Sequence, residues 1–152
     1  MRFIFFGAVV CLVIFNLSSV QTKLIDVKLH EGDLVQSLDF IFDGQVVYNV
    51  ISDKPAAVGT AKLEILLPDS VIAAWASRLF ARGVSSLVSF SFKSLNRSKA
   101  VILECSYDPG QTTVTVSALD RLSGKNGFTL RFIDKLAAER VKLWRSTLLK
   151  QA

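Results

Sequence analysis

Apolar and polar residues alternate with a period of two through most of the chain after Lys23. In the first such run, Ile25, Val27 and Leu29 alternate with polar side chains, and this spacing puts all apolar side chains on one face of a strand. Turn residues separate the runs, and Asp43-Gly44 predicts a hairpin. Eight such strands are typical of a sandwich or barrel, of which we predict the mainly β, two-sheet sandwich. The other runs cover residues 38–42, 46–50, 63–67, 88–92, 101–105, 114–118 and 128–132.

Three segments in the first half of this β region have counterparts in the second half. They are an alternating apolar run, a segment with a Ser-x-x-Pro turn, and a strand that ends two residues before an aspartate. Self-similarity of this kind indicates an internal repeat, so we predict a sandwich of two similar halves. The pairs are Leu38-x-Phe40-x-Phe42 with Val88-x-Phe90-x-Phe92, Val50-Ile51-Ser52-x-x-Pro55 with Glu104-Cys105-Ser106-x-x-Pro109, and Ile65-x-Leu67-x-Asp69 with Leu130-x-Phe132-x-Asp134.

Two segments have helical spacing instead. The first runs from Asp69 to Gly83, with Asp69 or Ser70 as its N-cap and Gly83 at its end, and it predicts a short helix that links the halves. The second runs from Lys135 to Lys150 and predicts a C-terminal amphipathic helix. That helix either packs on the sandwich, lies on a membrane surface or docks on a partner protein. The apolar stripes are Val71, Ile72, Trp75, Leu79 and Phe80 in the first helix, and Ala137, Val141, Trp144, Leu148 and Leu149 in the second.

Residues 1–22 have the charged, apolar and polar order of a secretory signal. Arg2 precedes an apolar run from Phe3 to Phe15, and small polar residues follow it. As a helix these 13 residues reach about 20 Å, less than the roughly 30 Å of a bilayer's hydrocarbon core. We expect a cleaved signal peptide, and the alternative is a short uncleaved anchor that associates with the membrane through residues 3–15. Both place the rest of the chain outside the cytoplasm, in the periplasm or cell envelope.

Length and net charge limit the number of domains and the kinds of partner. Beyond the signal, 130 residues remain, enough for one domain with a real core, and we divide them into a β domain over 23–134 and the helix over 135–152. The net charge of +5 suits an anionic surface such as a cell wall. Nucleic acid is not an expected partner, because no cluster of cations has interleaved aromatic residues. Cys11 leaves with the signal, so no intramolecular disulfide is expected, and the apolar setting of Cys105 predicts a buried thiol.

The sequence offers little catalytic chemistry, and we predict no catalytic residues, no metal and no cofactor. His30 is the single histidine, so one chain cannot build a zinc site with two histidine ligands, and we interpret His30 as part of a solvated turn. No Gly-x-Ser-x-Gly elbow or phosphate-binding glycine loop is present. Glu31, Glu64 and Glu104 leave glycoside hydrolysis open by residue type, but Glu64 and Glu104 alternate with core residues, which fits an exposed outer face better than a cleft.

Candidate binding groups are cations and amides in predicted turns and at the end of the linking helix. Such groups hold carboxylates or acetamido sugars, although each also fits an ordinary solvated turn or helix end. The candidates are Arg78, Arg82, Asn96, Arg97, Lys99, Lys125 and Asn126.

The order of these features resembles the AMIN domain, the non-catalytic N-terminal module of periplasmic N-acetylmuramoyl-alanine amidases and of pilus secretins. The resemblance covers residues 23–134 and implies a sandwich of two similar sheets. It also implies peptidoglycan binding, or targeting of a complex to the wall, without catalysis. It rests on an export signal followed directly by Ile25-Asp26-Val27-Lys28, on Leu63-Glu64-Ile65-Leu66-Leu67-Pro68, and on a second half that runs from Val84 through Leu130-Arg131-Phe132.

We therefore predict a non-enzymatic, exported cell-envelope module that binds peptidoglycan or targets an envelope protein complex. One alternative is an interaction subunit that docks through Trp144 and Leu148 of the C-terminal helix. The other is a carrier of an apolar ligand inside the β structure, because the chain has eleven phenylalanines and sequence does not distinguish a filled core from a cavity.

Overall fold

The alternating segments form strands in the computed structural model, which describes residues 21–32, 34–57, 59–83, 85–95 and 99–151. Residues 1–20, on which the predicted signal or anchor falls, lie outside the described residues. Two α-helices are described, α1 (Ala74–Ala81) and α2 (Lys135–Gln151). The nine described strands are β1 (Thr22–Glu31), β2 (Val35–Phe42), β3 (Asn49–Ala57), β4 (Thr60–Leu67), β5 (Ser70–Val71), β6 (Val88–Leu95), β7 (Ala100–Tyr107), β8 (Thr112–Ala118) and β9 (Asn126–Asp134).

The strands form two sheets, a five-stranded sheet in the order β5-β1-β2-β9-β8 and a four-stranded sheet in the order β3-β4-β7-β6. Each half of the chain contributes one antiparallel hairpin to each sheet: β1–β2 and β8–β9 to the first, β3–β4 and β6–β7 to the second. If β1–β4 are exchanged with β6–β9, the order β1-β2-β9-β8 becomes β6-β7-β4-β3, which is the order of the other sheet read backwards. The predicted mainly β, two-sheet sandwich of two similar halves is therefore confirmed.

The topology and the sequence repeat disagree on which strands of the two halves are equivalent. The topology makes β2 equivalent to β7 and β3 equivalent to β8, whereas the sequence match paired β2 with β6 and β3 with β7. Only the match between β4 and β9 agrees with the topology. Every strand with a buried face has the same period of two, so the pattern does not distinguish a central strand from an edge strand.

The core lies between the sheets and is rich in phenylalanine. Phe90 of the four-stranded sheet contacts Phe40 and Phe132 of the five-stranded sheet, with ring centroids 6.4 and 5.7 Å apart. Phe40 also stacks on Phe128 at 4.9 Å. Cys105 is fully buried in this core, as predicted. Each large apolar side chain buried here contributes roughly 2 kcal/mol to folding.

The Asp43-Gly44 segment does not form the predicted hairpin. Asp43 instead completes the β1–β2 ladder: its N–H donates to the Lys23 carbonyl oxygen at 3.0 Å, and its Oδ1 accepts from the Lys23 N–H at 2.8 Å. Both neighbours of β2 are other strands, β1 and β9, so no edge of β2 is left for β3. The chain crosses to the other sheet, and β3 begins at Asn49, later than the predicted run at 46–50.

The linking helix is shorter than predicted because its first residues form a strand. Ser70 pairs with Thr22 in the parallel β1–β5 contact, and the Ser70 N–H donates to the Lys99 carbonyl oxygen at 3.2 Å. The N-cap is Ala73, which makes no side-chain cap hydrogen bond. The prediction that Asp69 or Ser70 caps this helix was therefore wrong.

The end of α1 and part of its apolar face agree with the prediction. The Gly83 N–H donates to the Phe80 carbonyl oxygen at 3.1 Å, and Gly83 has a φ of +81°, a conformation that glycine adopts without strain. The buried residues are Ala76 and Phe80. Trp75 and Leu79 of the predicted stripe remain about one third exposed, because the helix contacts the sandwich along a narrower face.

The C-terminal helix follows β9 directly and has the predicted bounds within one residue. Asp134 caps it, since Asp134 Oδ1 accepts from the Leu136 and Ala137 N–H groups at 3.0 and 3.1 Å. Lys135 ties the first turn to the β7–β8 connection through its Nζ, which donates to the Pro109 carbonyl oxygen. None of the α2 residues described is buried, so the helix extends from the sandwich instead of packing along it.

Candidate functional site

A polar groove crosses the outer face of the five-stranded sheet. Strand register places outward-facing residues side by side in two rows. The groove has a volume of about 340 Å³, and we call it the outer groove. The first row is Lys28, Asp39, Thr129 and Ser117, and the second is His30, Ser37, Arg131 and Thr115. The lining residues are His30, Ser37, Asp39, Ser117, Ala118, Leu119, Asp120, Thr129 and Arg131.

His30 and Asp39 form a side-chain pair in this groove. His30 Nε2 lies 2.9 Å from Asp39 Oδ2. An ionised carboxylate only accepts hydrogen bonds, so the contact makes Nε2 the donor. His30 is the second-last residue of β1, so it belongs to the end of the strand and not to the turn that follows. Its side chain is still 57 % exposed, so the imidazole is available to a ligand.

The floor of the groove is buried and hydrogen-bonded, whereas Arg131 at its rim is exposed. Thr129 is 7 % exposed, and its hydroxyl donates to the Leu38 carbonyl oxygen at 3.2 Å. Arg131 stands next to it on β9 and is exposed. Asp120 Oδ1 accepts from the Leu122 N–H at 3.0 Å, which orients this carboxylate at one end. The groove therefore offers the Arg131 guanidinium as a donor beside carboxylate acceptors, with hydroxyls between them.

Two lysines, Lys28 and Lys125, lie beside the outer groove. Lys28 lowers the pKa of Lys125, first through a side-chain hydrogen-bonding contact and then through charge repulsion, while Asp26 and Asp39 act in the opposite direction. Lys125 belongs to the turn before β9. The contact brings this turn to the edge of the sheet face that holds the groove, next to Asp39.

The binding residues predicted from the sequence do not converge on one surface. Arg78 and Arg82 are exposed on α1 and just after it. Lys99 lies before β7, where its carbonyl oxygen accepts from Ser70. Asn96 and Arg97 lie outside the described residues. Among the candidates that the structure describes, Lys125 lies near the groove rows, since Lys28 of the first row lowers its pKa.

Lys125 and Asn126 also line a second cavity, of about 350 Å³. It lies between the connection that follows β2 and the turn that precedes β9. Tyr48 forms part of its wall, with its ring 5.0 Å from Phe128 in the core. The cavity lining includes Gln45, Val46, Ala118 and Leu119.

Two of the glutamates considered for glycoside hydrolysis, Glu64 and Glu104, lie on the four-stranded sheet, whereas Glu31 is the last residue of β1 in the five-stranded sheet. Glu64 and Glu104 are direct cross-strand neighbours on β4 and β7. They alternate with buried residues and face outward, as expected. The Ser91 hydroxyl donates to Glu104 Oε2 at 3.5 Å. Because β4, β6 and β7 belong to the four-stranded sheet, this face is separate from the outer groove.

Sequence reasoning missed Asp39, Thr129 and Arg131 as site residues. Each one occupies a polar position between two core residues of a predicted strand, and this was the available signal. Alternation predicts that such side chains face outward, but it does not predict which strands are neighbours. The rows depend on β2 lying beside β9, a pairing between the two halves of the chain.

Among the residues that the structure describes, no three histidine, cysteine, aspartate or glutamate side chains come together as metal ligands would. No helix in the described part of the chain is long and apolar enough to span a membrane. None of the protein-family models, curated proteins or solved structures compared with this chain matches it.

Proposed function

We propose that the protein is an exported, non-catalytic module of the cell envelope that binds peptidoglycan through the outer groove. The observation that carries the proposal is the pair of polar rows that β1, β2, β9 and β8 align across one rigid sheet face. The resemblance to the AMIN domain supports the same conclusion, because it implies a sandwich of two similar sheets, and the fold has this organisation.

The chemistry of the groove matches the groups of peptidoglycan. Arg131 at the rim suits the carboxylates of its peptides, since a guanidinium binds a carboxylate with two parallel hydrogen bonds. Asp39 and Asp120 accept hydrogen bonds from sugar hydroxyls and amide N–H groups. Ser37 and Ser117 both donate and accept. Because sheet residues are already ordered, binding costs little conformational entropy.

A binding role fits the residues better than hydrolysis. An amidase centre with two histidine ligands for zinc would need more than the single histidine of this chain. The acceptor Asp39 already engages Nε2 of that histidine. In the proposed function, His30 holds the Asp39 carboxylate in place as an acceptor for the ligand.

Sedimentation of the full-length chain with insoluble peptidoglycan, in mild detergent, tests the proposal. Arg131→Glu is expected to weaken retention by at least about tenfold, since a hydrogen bond to a charged group contributes roughly 1.5–3 kcal/mol. Lys93→Glu is the matched control: it makes the same change in net charge at an exposed position on the other sheet. Arg78→Glu tests the competing candidate on α1. Higher salt should weaken retention of the wild-type chain.

Equal retention of the wild-type chain and the Arg131→Glu variant would overturn the assignment to the outer groove. Loss of retention in the Arg78→Glu variant alone would move the site to the basic residues of α1. No retention of a folded wild-type chain would overturn peptidoglycan binding itself.

A further inference from the structure

The last turns of α2 expose large apolar side chains in several directions. Leu143, Trp144 and Leu149 are 68, 65 and 78 % exposed. With 3.6 residues per turn, these three side chains point in directions about 100–140° apart around the helix axis. Leu148, on the side of Trp144, is 46 % exposed. A helix that is apolar on several sides normally lies in surroundings that cover it on all of them.

The sandwich of this chain does not cover that part of α2. The partly buried residues of the helix are Ala137, Ala138 and Val141, all in its first two turns. From Lys142 to Gln151 every residue is exposed. The helix is thus held at its start by Asp134 and Lys135 and is uncovered beyond that.

The charge of the uncovered turns has one sign. Lys142, Arg145 and Lys150 lie among the apolar residues, and the sequence from 140 to 151 contains no aspartate or glutamate. Cations attract anionic lipid headgroups at about 1 kcal/mol for each Lys or Arg near the surface. Long Lys and Arg side chains also place their charge at the headgroups while their stems lie along apolar groups.

We propose that residues 142–151 of α2 lie in the interface of an anionic lipid membrane and hold the sandwich at its surface. In the interface plane, Trp144 and Leu148, which share one side of the helix, enter the acyl boundary. Lys142, Arg145 and Lys150 reach the anionic headgroups. Tryptophan is enriched at this depth of a bilayer.

The fluorescence of Trp144 tests this proposal in the full-length chain. Trp75→Phe leaves Trp144 as the single tryptophan. Because residues 3–15 could hold every variant at a bilayer, the readout is the environment of Trp144 and not the amount of protein bound. We expect a shift of its emission to shorter wavelength, and quenching by brominated lipid, in vesicles of phosphatidylcholine with phosphatidylglycerol but not in phosphatidylcholine alone.

Removing the cations should reverse this effect. The triple variant Lys142→Gln, Arg145→Gln, Lys150→Gln is expected to lower the equilibrium constant for insertion of Trp144, read from its emission shift, about 100-fold, or roughly fivefold for each cation. The matched control is Arg82→Gln, Lys93→Gln, Lys99→Gln, which removes the same charge at exposed positions outside α2 and should change it little.

Three results would overturn the proposal. Trp144 emission that stays unchanged with anionic vesicles would favour an acidic protein groove as the partner of α2. Equal quenching in neutral and anionic vesicles would remove the role of the headgroup charge. Equal losses in the two triple variants would show that net charge, and not α2, determines the interaction. None of these results depends on whether the outer groove binds peptidoglycan.

Discussion

Gly127 lies so close to Phe40 that a Cβ atom built on the glycine would stand 1.8 Å from the Phe40 carbonyl oxygen. The two residues belong to β9 and β2, the neighbouring strands that join the two halves of the chain in the five-stranded sheet. The φ angle of Gly127 is +150°, and the atom it approaches is backbone. A side chain at this position therefore fits only if the two strands move apart.

Gly127→Ala is expected to lower the free energy of unfolding by about 3 kcal/mol, because the added methyl overpacks a strand contact and strains the backbone. Chemical denaturation followed by circular dichroism measures this change. Gly44→Ala is the control, since its added Cβ would meet only Thr22 Cγ2, at 3.7 Å. A Gly127→Ala variant as stable as Gly44→Ala would contradict the close approach of β2 and β9.

Phe80→Ala should detach α1 from the sandwich. The Phe80 ring lies 5.2 and 5.3 Å from the rings of Phe90 and Phe92, and it is 6 % exposed. Truncation of a buried phenylalanine costs about 3–5 kcal/mol. Leu79→Ala, at the neighbouring position, should cost about 1 kcal/mol or less, because Leu79 is already 37 % exposed.

Urea denaturation of these two variants compares the buried and exposed faces of α1. Similar losses of stability would show that α1 packs with its whole apolar stripe, as the sequence pattern alone predicted. A large loss in Leu79→Ala with a small one in Phe80→Ala would contradict the orientation of the helix.

Lys28→Gln should raise the pKa of Lys125 towards its ordinary value of 10.5, since the variant removes the charge that repels the Lys125 ammonium. NMR titration of the Lys125 side chain measures the pKa directly. In the wild-type chain the folded state binds the Lys125 proton less tightly than the unfolded state. Stability from this group therefore rises with pH between the lowered pKa and the ordinary value.

The same titration can contradict this prediction. An unchanged Lys125 pKa in the Lys28→Gln variant would show that the turn before β9 does not approach Lys28. Lys93→Gln removes a cation on the other sheet and should leave the Lys125 pKa as it is in the wild-type chain.

Most strands of the fold were predictable because their signal is local. Each predicted run from Ile25–Leu29 to Phe128–Phe132 overlaps a strand, since a half-buried strand requires an apolar side chain at every second position. Cys105 was predicted to be buried for the same reason. Errors occurred where a local signal competes with a distant partner: Ser70 resembles a helix cap but pairs with Thr22.

The candidate site was less predictable. The residues Lys125 and Asn126 were selected because turns rich in glycine and cations are easy to recognise in a sequence. The outer groove instead depends on which strands are adjacent. His30 and Asp39 belong to one hairpin, but Arg131 reaches their rows only through the contact of β2 with β9.

By itself the sequence determined where most strands lie and which of their faces is apolar, together with the two similar halves and the two helices. Hydrophobic periodicity carries this information because it depends on neighbours within a few residues. Only the tertiary structure decided the strand order, the crossing of residues 45–48 between sheets, the outer groove and the exposure of α2. The physical reason is that each pairing depends on backbone hydrogen bonds and packing between segments far apart in the chain, and many strands with the same alternating pattern satisfy those requirements equally well.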